Sequence, residues 1–320
     1  MIRFRDFMEE AVRRYYTSSR EKFAAGGDFF TAPELDPLFG EAVAQFLLPH
    51  LEEMENPVLL ELGAGRGLMA RDILSYYRNH HPRLFARLRY RIYEISPFLR
   101  KVQREILSGF DCVSWVEDLE PLEGVVLSNE FFDALPVHVV EGDRELYLRG
   151  EEEVWMPLRD PRLREFLRKM GYEKLRQRIE VPLDALKILE KVSLALRRGY
   201  HLVIDYGYTS EELANFPQGT IALYKKHRLR SDIYSCRGDA DMSAQVNFSA
   251  LIAYGREFGL ETLFLKKQRD FLMGVPRFLE EIQRLASLED PSSIERFSRI
   301  KIMLISMGDR FRVLFQRKEL

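Results

Sequence analysis

Pro57-Val58-Leu59-Leu60-Glu61-Leu62-Gly63-Ala64-Gly65-Arg66-Gly67 is the stretch on which the fold turns. Its first half is a short apolar run behind a proline, the length of a buried strand. Three alternate glycines then allow positive φ and let a ligand approach the main chain. Leu68 to Tyr77 follows with helical spacing, so the turn ends on a helix N-terminus whose unpaired amides carry partial positive charge. Two common glycine turns do not fit. A dinucleotide turn needs a third glycine where Leu68 stands, and a phosphate loop needs Gly-Lys-Ser/Thr. Glu61, at the end of the strand, suits a cationic ligand better than a pyrophosphate.

The pattern continues outward. Tyr90 to Glu94 reads as a second strand, Ser96-Pro97 as a helix start running through Leu107, and Val113 to Val116 as a short third strand. Gly124 to Glu130 is the fourth strand. Strands alternating with helices predict an α/β fold with a doubly wound, mostly parallel sheet. Upstream, residues 4–16 have amphipathic helical spacing, Gly26-Gly27-Asp28 breaks the chain, and a helix is expected over 37–53. Downstream, Val137 to Leu148 reads as one or two strands, and a charged segment runs from Arg149 to Glu180. The alternation resumes with a helix over 183–198 and the strand Tyr200 to Asp205. An irregular segment over about 207–247 follows, then helix 248–258, strand 260–266, helices 275–288 and 291–300, and strand Phe311 to Phe315. The expected division is an N-terminal helical and lid segment (1–56), the first part of a cofactor sheet (57–136), an inserted substrate subdomain (137–182) and the rest of the sheet (183–320).

Composition narrows the class. The 320 residues are 46% hydrophobic, enough for a core, and 48 basic against 50 acidic residues leave a net charge of -2. That balance argues against a broad nucleic-acid surface. Lys225-Lys226-His227-Arg228-Leu229-Arg230 is the strongest basic run and reads as a solvated face or a docking strip for an acidic partner. Cys112 and Cys236 form no CxxC pair, which excludes a disulfide framework and fits a reducing compartment. None of the six histidines has metal-ligand spacing, so no metal is expected. No membrane span is read, and the acids among the first 16 residues weigh against a signal or transit peptide. A cytoplasmic location is therefore expected.

The Glu61-x-Gly63-x-Gly65-x-Gly67 turn resembles motif I of class I S-adenosyl-L-methionine-dependent methyltransferases. That resemblance implies a seven-stranded sheet with Glu61, Gly63, Gly65 and Gly67 binding the cofactor. Glu94 ends the second strand, where a carboxylate can accept hydrogen bonds from both ribose hydroxyls. Asp118 follows the third strand and is a candidate partner of the adenine amino group, with an exposed loop acid as the alternative. Asn129-Glu130-Phe131-Phe132-Asp133-Ala134-Leu135-Pro136 follows the fourth strand and should border the transferable methyl.

Longer strings are similar to the MidA family, complex I assembly-factor methyltransferases of mitochondria and their bacterial relatives. They include Gly27-Asp-Phe-Phe-Thr-Ala-Pro-Glu34, Tyr93-Glu-Ile-Ser-Pro-Phe-Leu-Arg100 with Gln103, Asn129 to His138, and Ile204-Asp-Tyr-Gly-Tyr208. The resemblance implies methylation of a protein arginine, on a respiratory complex I-type subunit. Thr31, Glu34 and Asn129 join the expected cofactor set, and Gly26 and Gly27 would permit the loop leading to Glu34 to close over the cofactor as a lid. Two carboxylates can grip a guanidinium as a fork and dispose of its proton, which selects Glu130 and Asp133 as catalytic candidates. Glu34, Asp205 and Asp241 are second choices. Met242, Ser243 and Asn247 depart from the family's Leu, Thr and Asp, so the substrate side differs more than the cofactor side. The alternatives are an RNA, DNA or small-molecule methyltransferase, and a cofactor-binding assembly chaperone without turnover.

Overall fold

The computed structural model describes residues 1–17, 31–225, 228–230, 232–234, 238 and 240–319. Packing divides the chain into two units. One comprises Phe30–Glu130, Lys191–Tyr206 and Arg256–Leu320, and the other Met1–Phe29, Phe131–Glu190 and Gly207–Gly255.

The first unit holds the large sheet. We number its strands β1 (Val58–Leu62), β2 (Arg89–Tyr93), β3 (Val113–Val116), β4 (Leu122–Asn129), β5 (Leu196–Tyr208), β6 (Glu261–Lys267) and β7 (Phe311–Lys318). Their spatial order is β6-β7-β5-β4-β1-β2-β3. The five strands from β5 to β3 are parallel, and β7 runs antiparallel to both β5 and β6. The doubly wound, mostly parallel sheet expected from the sequence is therefore present. All five residues of β1 are buried, as befits a central parallel strand covered on both faces. The helices Leu38–Glu52 and Leu68–His80 supply Leu38, Phe39, Leu47, Ile73 and Leu74 to the core. The buried phenol of Tyr77 joins these helices by donating to the Ala44 carbonyl at 2.8 Å.

Late helices brace an early turn. Arg296, on the helix Pro291–Ile305, donates to both carboxylate oxygens of Asp36 at 2.8 and 3.0 Å and also pairs with Glu281. Arg299 donates to the Leu35 carbonyl at 3.2 Å, and Arg277 to Glu41 at 2.8 Å. The short helix Ala32–Leu35 is thus held by side chains some 260 positions away.

The second unit has its own core. The amphipathic helix Phe4–Thr17 buries Phe4, Phe7, Met8 and Ala11 in one apolar cluster with Val137, Val139, Leu146 and Leu148. Ile2 and Arg3 pair antiparallel with Leu148 and Tyr147. The packing therefore divides the chain differently from the expected boundaries: the first helix belongs with the insertion, and Leu38–Glu52 with the large sheet. An amphipathic pattern announces that a face will be buried but not against what. The stretch expected to be irregular forms a small antiparallel sheet of Ala222–Lys225, Arg228–Arg230 and Asp241–Ser243. Lys226 and His227 of the basic run lie outside the described residues.

Candidate cofactor site at the strand ends

Register brings the candidate residues together. Val116, Tyr93, Leu62, Ser128 and Val203 form one level row across β3, β2, β1, β4 and β5. The residues one step beyond the row on β2, β1, β4 and β5 are Glu94, Gly63, Asn129 and Ile204. The chain leaves β1 toward β2 on one side and returns to β4 on the other. Such a reversal opens a crevice outside the carboxyl ends of the strands.

The glycine turn fills that place. Gly63, Gly65 and Gly67 have φ of 65°, 52° and 84°, all in the left-handed region that favours glycine. A Cβ on Gly65 would meet nothing within 4 Å, so the turn is open on that side. A Cβ on Gly67 would lie 3.4 Å from Gln103 Cγ, an ordinary contact, so it is the left-handed φ that calls for glycine there. Gly67 caps the helix Leu68–His80 without a side-chain bond to the first amides.

Two carboxylates support the turn. Glu61 is buried in β1 and accepts a hydrogen bond from the Tyr90 phenol at 2.7 Å. Burial pushes its carboxyl up to about 7, against the pull of Tyr90 and with a small push from Glu94. Glu94 accepts from the Ser96 amide at 2.9 Å and from Gln103 Nε2 at 3.1 Å. Burial raises its carboxyl too, while those bonds lower it.

Asn129 ends β4. Its Nδ2 points to Glu130 Oε1 at 3.4 Å, and its buried Oδ1 has no hydrogen-bond partner among the described residues. Glu130 has φ of 52°, unique among the described non-glycine residues, and its amide donates to the Ile204 carbonyl at 2.9 Å. A side chain held left-handed costs about 1 kcal/mol or more.

The other candidates are more dispersed. Asp133 belongs to the second unit, is buried, and has its carbonyl bonded by the Ala244 amide at 3.0 Å. There Tyr16 donates to Asp241 at 3.3 Å, and burial, then Asp241 and Asp133, push its phenol well up. Asp205 is buried and accepts from the Tyr206 amide. Thr31 and Glu34 form a capping box on Ala32–Leu35, the Thr31 amide donating to Glu34 at 3.2 Å. Burial raises the Glu34 carboxyl, while the Thr31 amide and then Arg66 of the glycine turn lower it. The proposed lid glycines, Gly26 and Gly27, lie outside the described residues. Asp118 is 69% exposed and pairs with Lys191 at 2.9 Å, the arrangement of a surface loop acid.

Three residues of the network carried no role in the sequence reading: Gln103, Trp115 and Tyr90. Among the described residues no group of three or more His, Cys, Asp or Glu could hold a metal ion, and no helix is long and apolar enough to cross a membrane. His138 is buried against Glu145, 2.7 Å from Nδ1 to Oε1, and His201 is buried on β5, 3.1 Å from Gln316. Both have core roles.

Open space at Gly65, the helix end without a side-chain cap, Glu94, and Asn129 Oδ1, unpartnered among the described residues, fit an adenosyl amino acid. These features suit a nucleoside-binding site of the methyltransferase type. Residues 42–265 match the family described as "Putative S-adenosyl-L-methionine-dependent methyltransferase", and the chain belongs to that family. It is an S-adenosyl-L-methionine-dependent methyltransferase, in agreement with the MidA-type motifs. The chain is similar to the mitochondrial protein arginine methyltransferase NDUFAF7 of Danio rerio, 29% identical over 96% of this chain and 81% of the relative. The Homo sapiens protein of the same name is 28% identical over 96% and 78%. A crystal structure from Burkholderia thailandensis bound to S-adenosyl-homocysteine has a TM-score of 0.83 at 29% identity, covering 99% of this chain and 88% of that one. The mitochondrial relatives overturn the expected cytoplasmic location. The acids and apolar residues of one N-terminus were too little to assign a compartment.

Proposed function

We propose that this methyltransferase modifies an arginine of a polypeptide, on the family resemblance a subunit of a respiratory complex I type, with Glu130 and Asp133 as the catalytic carboxylates. Bound S-adenosyl-L-methionine supplies a methyl group on a sulfonium, open to in-line attack. The chain's task is then to hold a nucleophile in line and take its proton. Glu94 would accept the ribose hydroxyls and the glycine turn would seat the amino-acid end. A guanidinium offers paired N–H groups, and a carboxylate can accept two of them while drawing charge from the attacking nitrogen. As that nitrogen gains the methyl and the sulfur departs as a neutral thioether, it loses a proton, for which Glu130 and Asp133 are the proposed acceptors.

The observation that carries this reading is the left-handed backbone of Glu130 at the end of β4. Strain of that kind persists where a side chain must be aimed. The names of the curated relatives support the acceptor class. The test is transfer of labelled methyl groups to host polypeptides, with mass spectrometry of the acceptor residue. Glu130→Ala or Asp133→Ala should abolish transfer and leave cofactor affinity intact. Label on RNA or DNA with none on protein, or partner assembly without any transfer, would overturn it.

A further inference from the structure

Gln103 is completely buried and makes three hydrogen bonds, each to a different part of the site. Its Nε2 donates to the Gly65 carbonyl at 2.7 Å and to Glu94 Oε2 at 3.1 Å, and its Oε1 accepts from Trp115 Nε1 at 2.8 Å. The direction of the amide follows from chemistry. An indole N–H can only donate, while a carbonyl and a carboxylate can only accept, so oxygen must face Trp115 and nitrogen the other two. The helix Pro97–Ile106 carries Gln103 into the neighbourhood of Gly67, whose Cβ position lies 3.4 Å from Gln103 Cγ.

We infer that Gln103 is a positioning residue for the cofactor, tying the glycine turn to the ribose carboxylate in one fixed spacing, with Trp115 setting its orientation. The inference rests on the assignment of Gly65 and Glu94 to cofactor binding. A carboxylate that must accept two ribose hydroxyls works only if its plane is fixed. The Ser96 amide holds Oε1 of Glu94 and Gln103 holds Oε2. The second Gln103 donor fixes the Gly65 carbonyl, and with it the peptide on the open side of the turn. A fully satisfied buried network of this kind is rigid, and loosening one member exposes the others to mismatch.

The experiment compares cofactor-free wild type with Gln103→Leu, Gln103→Glu and Trp115→Phe by calorimetric titration with S-adenosyl-L-methionine, and by kcat and KM. Circular dichroism and thermal unfolding select variants that keep the fold. Gln103→Leu should weaken binding by about tenfold or more and raise KM, while kcat at saturation stays within about twofold. Trp115→Phe should weaken binding in the same direction but less. Gln103→Glu removes both donors at neutral pH, yet its acid form can donate to Glu94 again. Two carboxylates in contact cannot both ionise at their ordinary value, so its deficit relative to wild type should shrink as pH falls.

Unchanged affinity in a folded Gln103→Leu, or a deficit in Gln103→Glu that does not change with pH, overturns the inference. Glu94→Ala and Gly65→Trp report separately on the site itself. If both bind as wild type does, the site assignment fails. If both lose binding while the Gln103 variants do not, only the positioning role fails.

Discussion

Tyr90 on β2 and Glu61 on β1 are joined inside the sheet, phenol to carboxylate, at 2.7 Å. The bond stabilises the ionised carboxylate, but burial outweighs it and leaves Glu61 titrating at about 7. Between its ordinary value near 4.5 and that point, the folded chain holds a proton that the unfolded chain releases. Cofactor-free stability therefore falls as pH rises through this window, by an amount on the order of 3 kcal/mol. Glu61→Gln should remove that slope, measured as urea unfolding at several pH values. Tyr90→Phe should extend the window upward.

His201 acts in the opposite sense. Burial lowers its imidazole to about 4 against an ordinary 6.5, with Gln316 opposing. Below 6.5 the unfolded chain takes up a proton that the folded chain refuses until about 4, so stability is lost as pH falls. The two slopes oppose each other between about pH 4.5 and 6.5. The Glu61→Gln variant should lose more stability on acidification through this range than wild type does. Equal acid sensitivity in the two proteins would contradict the assignment.

Replacing Glu130 by two different small residues separates strain from chemistry. Glu130→Ala keeps a Cβ in the left-handed region, whereas Glu130→Gly removes the strain. The glycine variant should be more stable than the alanine variant by about 1 kcal/mol. Both should lose methyl transfer equally. Thermal unfolding and labelled-methyl transfer, run on the same preparations, check both statements.

Glu94→Ala should lower S-adenosyl-L-methionine affinity by about tenfold to a hundredfold, as expected for a carboxylate that accepts paired hydroxyls. Glu94→Gln retains one acceptor and should lie between. Calorimetry on the cofactor-free protein reads both.

Asp36 is buried, and its main cation, Arg296, is half-buried. Arg296→Ala leaves that carboxylate without the guanidinium and should cost about 2–3 kcal/mol in urea unfolding. Combining it with Asp36→Asn should recover part of the loss.

Much of this was legible in the chain itself. The apolar run before Gly63, the second run ending on Glu94 and the fourth ending near Asn129 announced strand ends at one edge of a parallel sheet. What stayed hidden depended on partners remote in the chain. Phe4 and Phe7 advertise an apolar face, but nothing local says that it belongs with Val137 and Leu146. Gln103 sits among the charged residues of its helix, and its three partners lie on the turn, β2 and β3. Asp118 was read from its place after a strand, yet a loop position does not fix where a side chain points, and Lys191 holds it at the surface.

The knot around Gln103 also bears on the order in which the protein comes together. Its bonds join residues separated by 38, 9 and 12 positions, and Tyr90 reaches Glu61 across 29. By contrast, β4 must wait for β5, some 70 residues later, and β5 must wait for β7, more than 100 later. Short loops close first. As the chain leaves the ribosome, every member of the turn, Glu94 and their shared glutamine is available before the sheet can be completed. In pulsed hydrogen exchange during refolding, the amides of Tyr90 and Ile92 should gain protection ahead of those of Leu314 and Phe315. A cofactor added at that early stage should hasten the remainder, making the small molecule a template for the half of the protein that arrives last.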